Sequence, residues 1–215
     1  MNEDSVLLID KPAGITSFGV VARVRRKLSA QLGKKAKVGH TGTLDPFATG
    51  LMIIVTGKEC RNAMKYSKLD KEYEATIRLG QTSSTGDPEG EILNVSDLQP
   101  TKEAVEAALE RFRGEITQRP PIFSAIKING RRAYDLARKG EDFEIPERQV
   151  TVFSLELLDY SYPDIRIRTH VSSGTYIRSL AVDIGDVLGT GAYCVELRRT
   201  KVAEYDVRDA TAIEA

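Results

Sequence analysis

A run of apolar and β-branched residues from Leu51 to Thr56 constrains the fold more than any other segment of the chain. A run of this kind, without polar alternation, is typical of a strand that is buried on both faces. It directly follows a glycine-rich segment, Gly39 to Gly50, that carries one carboxylate, Asp45. We therefore expect a buried strand with a carboxylate presented just before it.

The remaining patterns of strands and helices predict a mixed α+β fold. Helical spacing of apolar residues predicts a helix capped by Thr16 or Ser17 and a second helix from Thr101 to Phe112, stopped by Gly114. A third helix is expected to begin near Tyr176, with a cap from Ser172, Ser173 or Thr175. Strand patterns occupy five further segments: 6–9, 73–79, 123–128, 150–158 and 165–171. In the second of these, apolar and polar residues alternate, which places Tyr73 on the inward face. Strands and helices intermix without a strict βαβ alternation, and no repeat or long linker divides the chain. The sequence predicts a single α+β domain over residues 1–215.

Composition excludes several classes of protein. With 41% hydrophobic residues the chain can bury an ordinary core, and it lacks the run of about 20 apolar residues that would cross a bilayer. Its first residues do not resemble a secretory signal, so we expect a cytoplasmic protein. Cys60 and Cys194 are far apart, and neither His40 nor His170 lies at ligand spacing from them. The sequence predicts neither a disulfide nor a metal site.

Charge is balanced overall but segregated along the chain. The 31 basic residues equal the 31 acidic residues in number. Between Lys11 and Leu44, however, there are eight basic residues and no acidic ones, and the segment from Arg119 to Lys139 is also mainly basic. Local segregation can create a phosphate-binding face on a neutral protein, although a solvated helix face would show the same pattern. The candidate phosphate contacts are Lys11, Arg23, Arg26, Lys127, Arg131 and Arg132.

The glycine-rich segment is suited to presenting Asp45 to a ligand. Glycines permit positive φ angles and a close approach of the backbone, while Pro46 stiffens the turn beside the acid. A tight turn in which Asp45 only accepts local hydrogen bonds would also fit this spacing. A single carboxylate argues against the paired acids of a glycosidase unless a partner comes from elsewhere.

The sequence GHTGTLDPFATGLM, which spans Gly39 to Met52, resembles the catalytic motif of the TruB family of tRNA pseudouridine-55 synthases. Six further segments resemble other motifs of this family, in the same order: Asp10–Ser17, Lys71–Tyr73, Gly80–Asp87, Gln118–Lys127, Ser173–Ala181 and Leu197–Thr200. The resemblance covers nearly the whole chain. It implies a pseudouridine synthase fold, with a mixed, mainly antiparallel sheet, flanking helices and a central RNA-binding cleft. Family members usually continue into a C-terminal PUA module, for which this sequence leaves no room.

The resemblance implies an isomerisation that needs no cofactor. Asp45 corresponds to the aspartate that permits cleavage of the N1–C1′ bond, after which the uracil rejoins the ribose through C5. The carboxylate either adds covalently to a sugar carbon or abstracts a proton from it, and both routes need its ionised form. Tyr73 corresponds to the tyrosine that stacks on the target base, and Arg178 to the arginine that pairs with the aspartate. An ordinary core tyrosine and an arginine in the first helical turn are the structural alternatives.

The resemblance also implies the substrate, which is the T-arm stem-loop of tRNA bound by a monomer. The residues expected to bind it are His40, Gly42, Thr43, Leu44, Tyr176, Leu197, Lys11 and Lys127. A flipped base needs aromatic and apolar walls, for which Tyr176 and Leu197 are candidates, although each could equally belong to the core. Arg198 and Arg199 are either further RNA contacts or a charged strand end.

Two alternatives remain at this stage. The chain could be an RNA-binding protein that acts as a tRNA-folding chaperone, or a pseudouridine synthase that modifies another stem-loop RNA. The presence of Asp45, Tyr73 and Arg178 together favours catalysis, because a protein that only binds RNA has no use for a carboxylate beside phosphates.

Overall fold

The computed structural model describes residues 3–213 except Ala125, Asn129 and Asp142; the side chains of Lys127, Arg132, Tyr134, Asp135 and Arg138 are also outside the description. The described strands are β1 Val6–Lys11, β2 Val38–His40, β3 Thr49–Thr56, β4 Lys71–Leu79, β5 Gln81–Ser83, β6 Ile92–Asn94, β7 Gly114–Gln118, β8 Lys127–Ile128, β9 Arg131–Arg132, β10 Arg148–Ser161, β11 Asp164–Val171, β12 Ala192–Val202, β13 Tyr205–Asp206 and β14 Thr211–Ala212. The described α-helices are α1 Ser17–Leu32, α2 Ala63–Ser67, α3 Lys102–Glu110, α4 Ala133–Arg138 and α5 Ile177–Leu188, and two 3₁₀ helices span Gly57–Asn62 and Val207–Asp209.

Contacts group the chain into two compact units. The first unit combines Met1–Tyr73 with Arg198–Ala215, and the second is Glu74–Leu197. The expectation of a single domain without a C-terminal PUA module therefore stays a prediction. No helix in the described part of the chain is long and apolar enough to span a bilayer.

The first unit is built around β3. This strand pairs antiparallel with β1 and β2 and parallel with the end of β12, while β14 adds in parallel to β1. Seven of its eight residues are buried, which confirms the doubly buried strand expected from the run at Leu51 to Thr56. Helix α1 buries Val20, Val21, Val24 and Leu28, as its helical spacing predicts, and Thr16 caps it by accepting a hydrogen bond from the Gly19 backbone.

The second unit centres on the long strand β10. It pairs antiparallel with β11 on one side and with β7 on the other, and two hairpins, β5–β6 and β8–β9, lie outside this sheet. Helix α3 packs on β10 and on α5. Parallel pairing in the first unit and antiparallel pairing in both units, together with helices between the strands, confirm the mixed α+β class.

Three local predictions differ from the structure. The strand expected over 123–128 is reduced to β8, Lys127–Ile128. The helix expected from Thr101 to Phe112 ends at Glu110, and Gly114 begins the unpredicted strand β7 with a φ of +91° instead of ending the helix. Helix α5 has no side-chain cap, so the expected cap by Ser172, Ser173 or Thr175 was wrong. Serine-rich turns and helix caps share the same residues, which is why this pattern misled.

Candidate active site

The Asp45 loop, residues 41–48, connects β2 to β3 and is held by buried hydrogen bonds. The Ser17 hydroxyl donates to the Leu44 carbonyl and accepts from the Leu44 N–H, both at 2.8 Å, and its residue is 3% exposed. Thr41 donates from its backbone and its hydroxyl to the Ile53 carbonyl of β3. The loop is therefore fixed at both ends, and the half-buried Asp45 is presented on a rigid segment.

Lys11 is fully buried under this loop. Its ammonium donates to the carbonyls of Pro12, Ile15 and Pro46, at 2.9, 2.9 and 3.1 Å. Such an ion is stable away from water only when its protons are satisfied, and three carbonyls meet this need. The described conformation gives Lys11 a structural role beneath the Asp45 loop, and its contact with RNA stays a prediction.

Arg199 is a second buried cation beneath the Asp45 loop. It is 2% exposed, and its guanidinium donates to the carbonyls of Leu51, Gly42 and Thr43 at 2.7, 3.2 and 3.4 Å. Gly50 allows the backbone of Arg199 to lie close to the start of β3, because a Cβ on Gly50 would lie 2.3 Å from the Arg199 carbonyl oxygen. The sequence could not show which of the two adjacent arginines is buried. Arg198 is half-exposed and pairs with Asp10 at 2.7 Å.

We expect Arg199→Met to lower the free energy of unfolding by about 2–4 kcal/mol, because it leaves buried carbonyls without donors. The variant should also reduce the rate of the reaction by loosening the loop that carries Asp45. The matched control is Arg198→Met, which removes a partly exposed ion pair and should cost about 1 kcal/mol or less. Urea unfolding of both variants provides the measurement, and equal losses would contradict the role of Arg199.

Tyr73 lies on the buried face of β4 and is 8% exposed. Lys71 shares this face, and its ammonium donates to the carbonyls of Ser67 and Leu69. Burial, together with the nearby charge of Arg199, lowers the pKa of Lys71 from 10.5 to about 8. Alternation along β4 predicted the inward direction of Tyr73 but was not extended to Lys71, which occupies the same face two residues earlier.

Arg178 forms a buried ion pair that sequence reasoning missed. Its Nη1 donates to Asp87 Oδ2 at 2.9 Å, and both side chains are less than 5% exposed. The guanidinium also donates to the carbonyls of Thr85 and Phe123. Asp87 in turn accepts from the Thr85 hydroxyl at 2.6 Å and from the Glu89 N–H at 3.0 Å. The available signal in the sequence was the position of Asp87 at the end of a motif segment, directly after Gly86.

The other predicted site residues divide between the two units. Thr43 is exposed and His40 and Gly42 are half-buried in the first unit, where Leu44 is 4% exposed. Leu197, on β12 of the second unit, is 7% exposed. The side chain of Lys127 lies outside the described residues. The structure thus holds Gly42, Thr43 and Leu44 of the Asp45 loop, and Lys11 beneath it, by separate hydrogen bonds. In the other unit, Tyr176 immediately precedes α5 and Arg178 lies in its first turn.

The chemistry available at the Asp45 loop is that of one carboxylate on a rigid support. Two buried cations, Lys11 and Arg199, bind the carbonyls on either side of it in the chain. A carboxylate held in this way can act as a nucleophile or as a base. The pairing of Asp45 with Arg178 stays a prediction.

Family models match the chain over its greater part. The model of the TruB family pseudouridylate synthase N-terminal domain matches residues 25–177, and that of the tRNA pseudouridylate synthase B C-terminal domain matches residues 178–215. The first match contains Asp45 and Tyr73, and the second contains Arg178. All three candidate catalytic residues therefore lie in matched segments.

Similar proteins include tRNA pseudouridine synthase B of Phocaeicola vulgatus, 48% identical over 99% of this chain and 92% of that protein. The protein of the same name from Aquifex aeolicus is 46% identical over 98% of this chain and 72% of its own length. Among solved structures, a chain of a Cbf5–Nop10–Gar1 complex is 30% identical with a TM-score of 0.74, and this chain covers 52% of it. The sequence, with its matched motifs and its clamped aspartate loop, belongs to the TruB family of pseudouridylate synthases.

Proposed function

We propose that this chain isomerises uridine 55 in the T-loop of tRNA to pseudouridine, with Asp45 as the catalytic residue. The observation that carries the proposal is the rigid Asp45 loop, which lies inside the segment matched by the family model. The relatives at 43–48% identity bear the name tRNA pseudouridine synthase B, which supports tRNA as the substrate. No redox step is involved, because the base leaves the ribose through N1 and returns through C5.

The proposed roles come from the family motifs in which each residue lies. Asp45 acts on the sugar either as a nucleophile or as a base, and both routes stay open. Tyr73 stacks on the extruded uracil and assists loss of the C5 proton, while Arg178 keeps Asp45 oriented and ionised. Tyr176 and Leu197 supply apolar walls for the base.

Helix α1 is the proposed contact for RNA phosphates. Arg23, Arg26 and Lys27 on this helix have no carboxylate within ion-pair distance in the described part of the chain, and Arg26 and Lys27 are exposed. Most arginines on the second unit are neutralised instead, in the pairs Arg78–Asp164, Arg113–Glu110, Arg119–Glu147, Arg131–Glu141 and Arg168–Glu74. Uncompensated charge is what attracts a polyanion, so α1 is favoured over these paired arginines as the RNA face.

We expect replacement of Arg23, Arg26 and Lys27 by glutamine to weaken tRNA binding and to flatten its dependence on salt. Each lost phosphate contact should reduce the slope of log K against log salt by about 0.7–0.9. The matched control replaces Arg166 and Arg168, two arginines paired with Glu74, and should leave the slope unchanged. Filter binding at several salt concentrations measures both, and an unchanged slope in the α1 variant would place the RNA face elsewhere.

The function is tested by incubating the purified chain with a tRNA transcript and mapping pseudouridine by chemical modification and primer extension. A transcript with cytidine at position 55 controls for the site. Modification of a different stem-loop, with tRNA untouched, would favour the second candidate, a pseudouridine synthase with another RNA substrate. Binding and refolding of tRNA without modification would favour the chaperone. The cytoplasmic location and the monomeric state stay predictions.

A further inference from the structure

Tyr176, the residue that immediately precedes α5, is held through its backbone by one buried amide. The Gln118 side chain donates to the Tyr176 carbonyl at 2.9 Å and accepts from the Tyr176 N–H at 2.7 Å. Gln118 is 1% exposed and ends strand β7. A side-chain amide that satisfies both polar groups of one residue fixes its backbone as a β-sheet partner would. Gln118 therefore determines where α5 begins.

The ring of Tyr176 is held by a second side chain. The guanidinium carbon of Arg148 lies 4.8 Å from the ring centroid, within the range of a cation–π contact. The Nε and Nη2 atoms of Arg148 are shielded from solvent and have no hydrogen-bond acceptor among the described residues. Arg148 also has no ion pair in this part of the chain. Its guanidinium is therefore placed by the ring and not by an acceptor.

Gln118 and Arg148 lie opposite each other on neighbouring strands. They are direct partners in the antiparallel pairing of β7 with β10. Side chains of directly opposed residues lie on the same face of a sheet. Both members of this pair can therefore contact Tyr176. One member fixes the backbone of Tyr176 and the other its ring, which leaves the tyrosine few ways to move.

We infer that Gln118 and Arg148 are positioning residues for the isomerisation, forming a cross-strand clamp that holds Tyr176 against the target nucleotide and sets the start of the helix that carries Arg178. The inference rests on the proposed function, because it assigns Tyr176 to the wall of the base pocket. Desolvating two guanidinium N–H groups without acceptors is unfavourable, and cation–π contacts strengthen when they are desolvated. The unfavourable desolvation of Arg148 is expected to be kept where a misplaced reacting group would slow the reaction.

We expect Arg148→Met to lower the single-turnover rate at saturating enzyme by about tenfold, while the Kd for tRNA changes by less than about twofold. The matched control is Arg166→Met on β11, which removes an exposed arginine and should change neither quantity. If Arg148 is instead a phosphate contact, the Kd and its salt slope change and the single-turnover rate does not; that result overturns the clamp. An unchanged rate with unchanged Kd also overturns it. If Arg148→Met does not fold, Arg148→Lys takes its place.

A double-mutant comparison separates action through Tyr176 from direct action on the substrate. In a Tyr176→Leu background the ring is gone, so adding Arg148→Met should lower the rate by less than about twofold further. A full tenfold loss in that background would show that Arg148 acts by another route. Gln118→Glu, which keeps the acceptor but removes the donor, should slow the reaction, and Gln149→Met, at an exposed position of β10, should not.

An NMR measurement that does not depend on enzyme activity distinguishes failure of the clamp from failure of the proposed function. The chain has eight tyrosines, so ring-labelled tyrosine gives a small set of NMR signals, and loss of one signal in Tyr176→Phe assigns that residue. Arg148→Met should shift the Tyr176 ring resonances and Arg166→Met should not. If the wild-type chain modifies no tRNA but this shift occurs, the contact stands and the proposed function fails. Absence of the shift overturns the clamp even if the enzyme is active.

Discussion

Asp45→Asn is expected to abolish pseudouridine formation, with a fall in single-turnover rate on the order of 10³ or more. The amide can neither add to the sugar nor remove a proton from it, so both routes open to the carboxylate are lost. The substitution is nearly isosteric, and Ser17, Lys11 and Arg199 hold the loop through its backbone. Affinity for tRNA should therefore stay within about tenfold of wild type, or about 1.4 kcal/mol.

The control for this experiment is Asp209→Asn, the same chemical change at an exposed position of the same unit. It should react at the wild-type rate and bind tRNA equally well. Turnover of Asp45→Asn near the wild-type rate would remove Asp45 from the mechanism, whatever its position in the family motif. A loss of binding as large as the loss of rate would indicate instead that the loop had changed shape.

Arg178→Lys is expected to lower the single-turnover rate by about 10² or more while tRNA binding is retained. The guanidinium donates in different directions to Asp87, Thr85 and Phe123, and a single ammonium cannot reproduce this arrangement. Any shift of the side chain also alters its proposed contact with Asp45, and small misplacements of reacting groups can cost that much in rate. Arg178→Ala should be worse, and should destabilise the fold by about 3–5 kcal/mol, because it leaves Asp87 buried without its cation.

The matched control is Arg78→Lys, because Arg78 makes a two-point contact with Asp164 at a partly exposed position of the same unit. That variant should keep its rate and lose about 1 kcal/mol or less. Melting curves recorded beside the kinetics separate loss of fold from loss of chemistry. A lysine variant that reacts at the wild-type rate would reduce Arg178 to a structural partner of Asp87.

Periodicity predicted the parts of the fold that depend on a single chain segment. The buried strand at Leu51 to Thr56 and the apolar stripe of α1 are both present, because burial on one or two faces leaves a direct record in the sequence. Strand β7 left no such record, since only Gln118 among its five residues is buried. Short, exposed strands depend on a partner, here β10, and that information is non-local.

Candidate site residues could be named from motifs, but their partners could not. Arg198 and Arg199 are adjacent and identical in type, yet one faces Asp10 near the surface and the other is buried under the Asp45 loop. Likewise, Asp87 and Arg178 are 91 residues apart, so no local pattern predicts that they pair. Lys11 shows the same limit, because a basic residue in a cationic segment can be a buried structural ion as well as a surface contact.

The support of the Asp45 loop by Arg199 has a consequence for how the chain acquires activity. The hydrogen bond from Arg199 to Gly42 closes a separation of 157 residues, and the bond to Leu51 closes one of 148. Contacts this distant in sequence cost loop-closure entropy and form slowly. During synthesis the aspartate emerges early, but its loop cannot be completed until β12 has been made. A growing chain therefore carries its reactive carboxylate in an incompletely folded segment, and the loop can reach its final shape only after Arg199 has been synthesised.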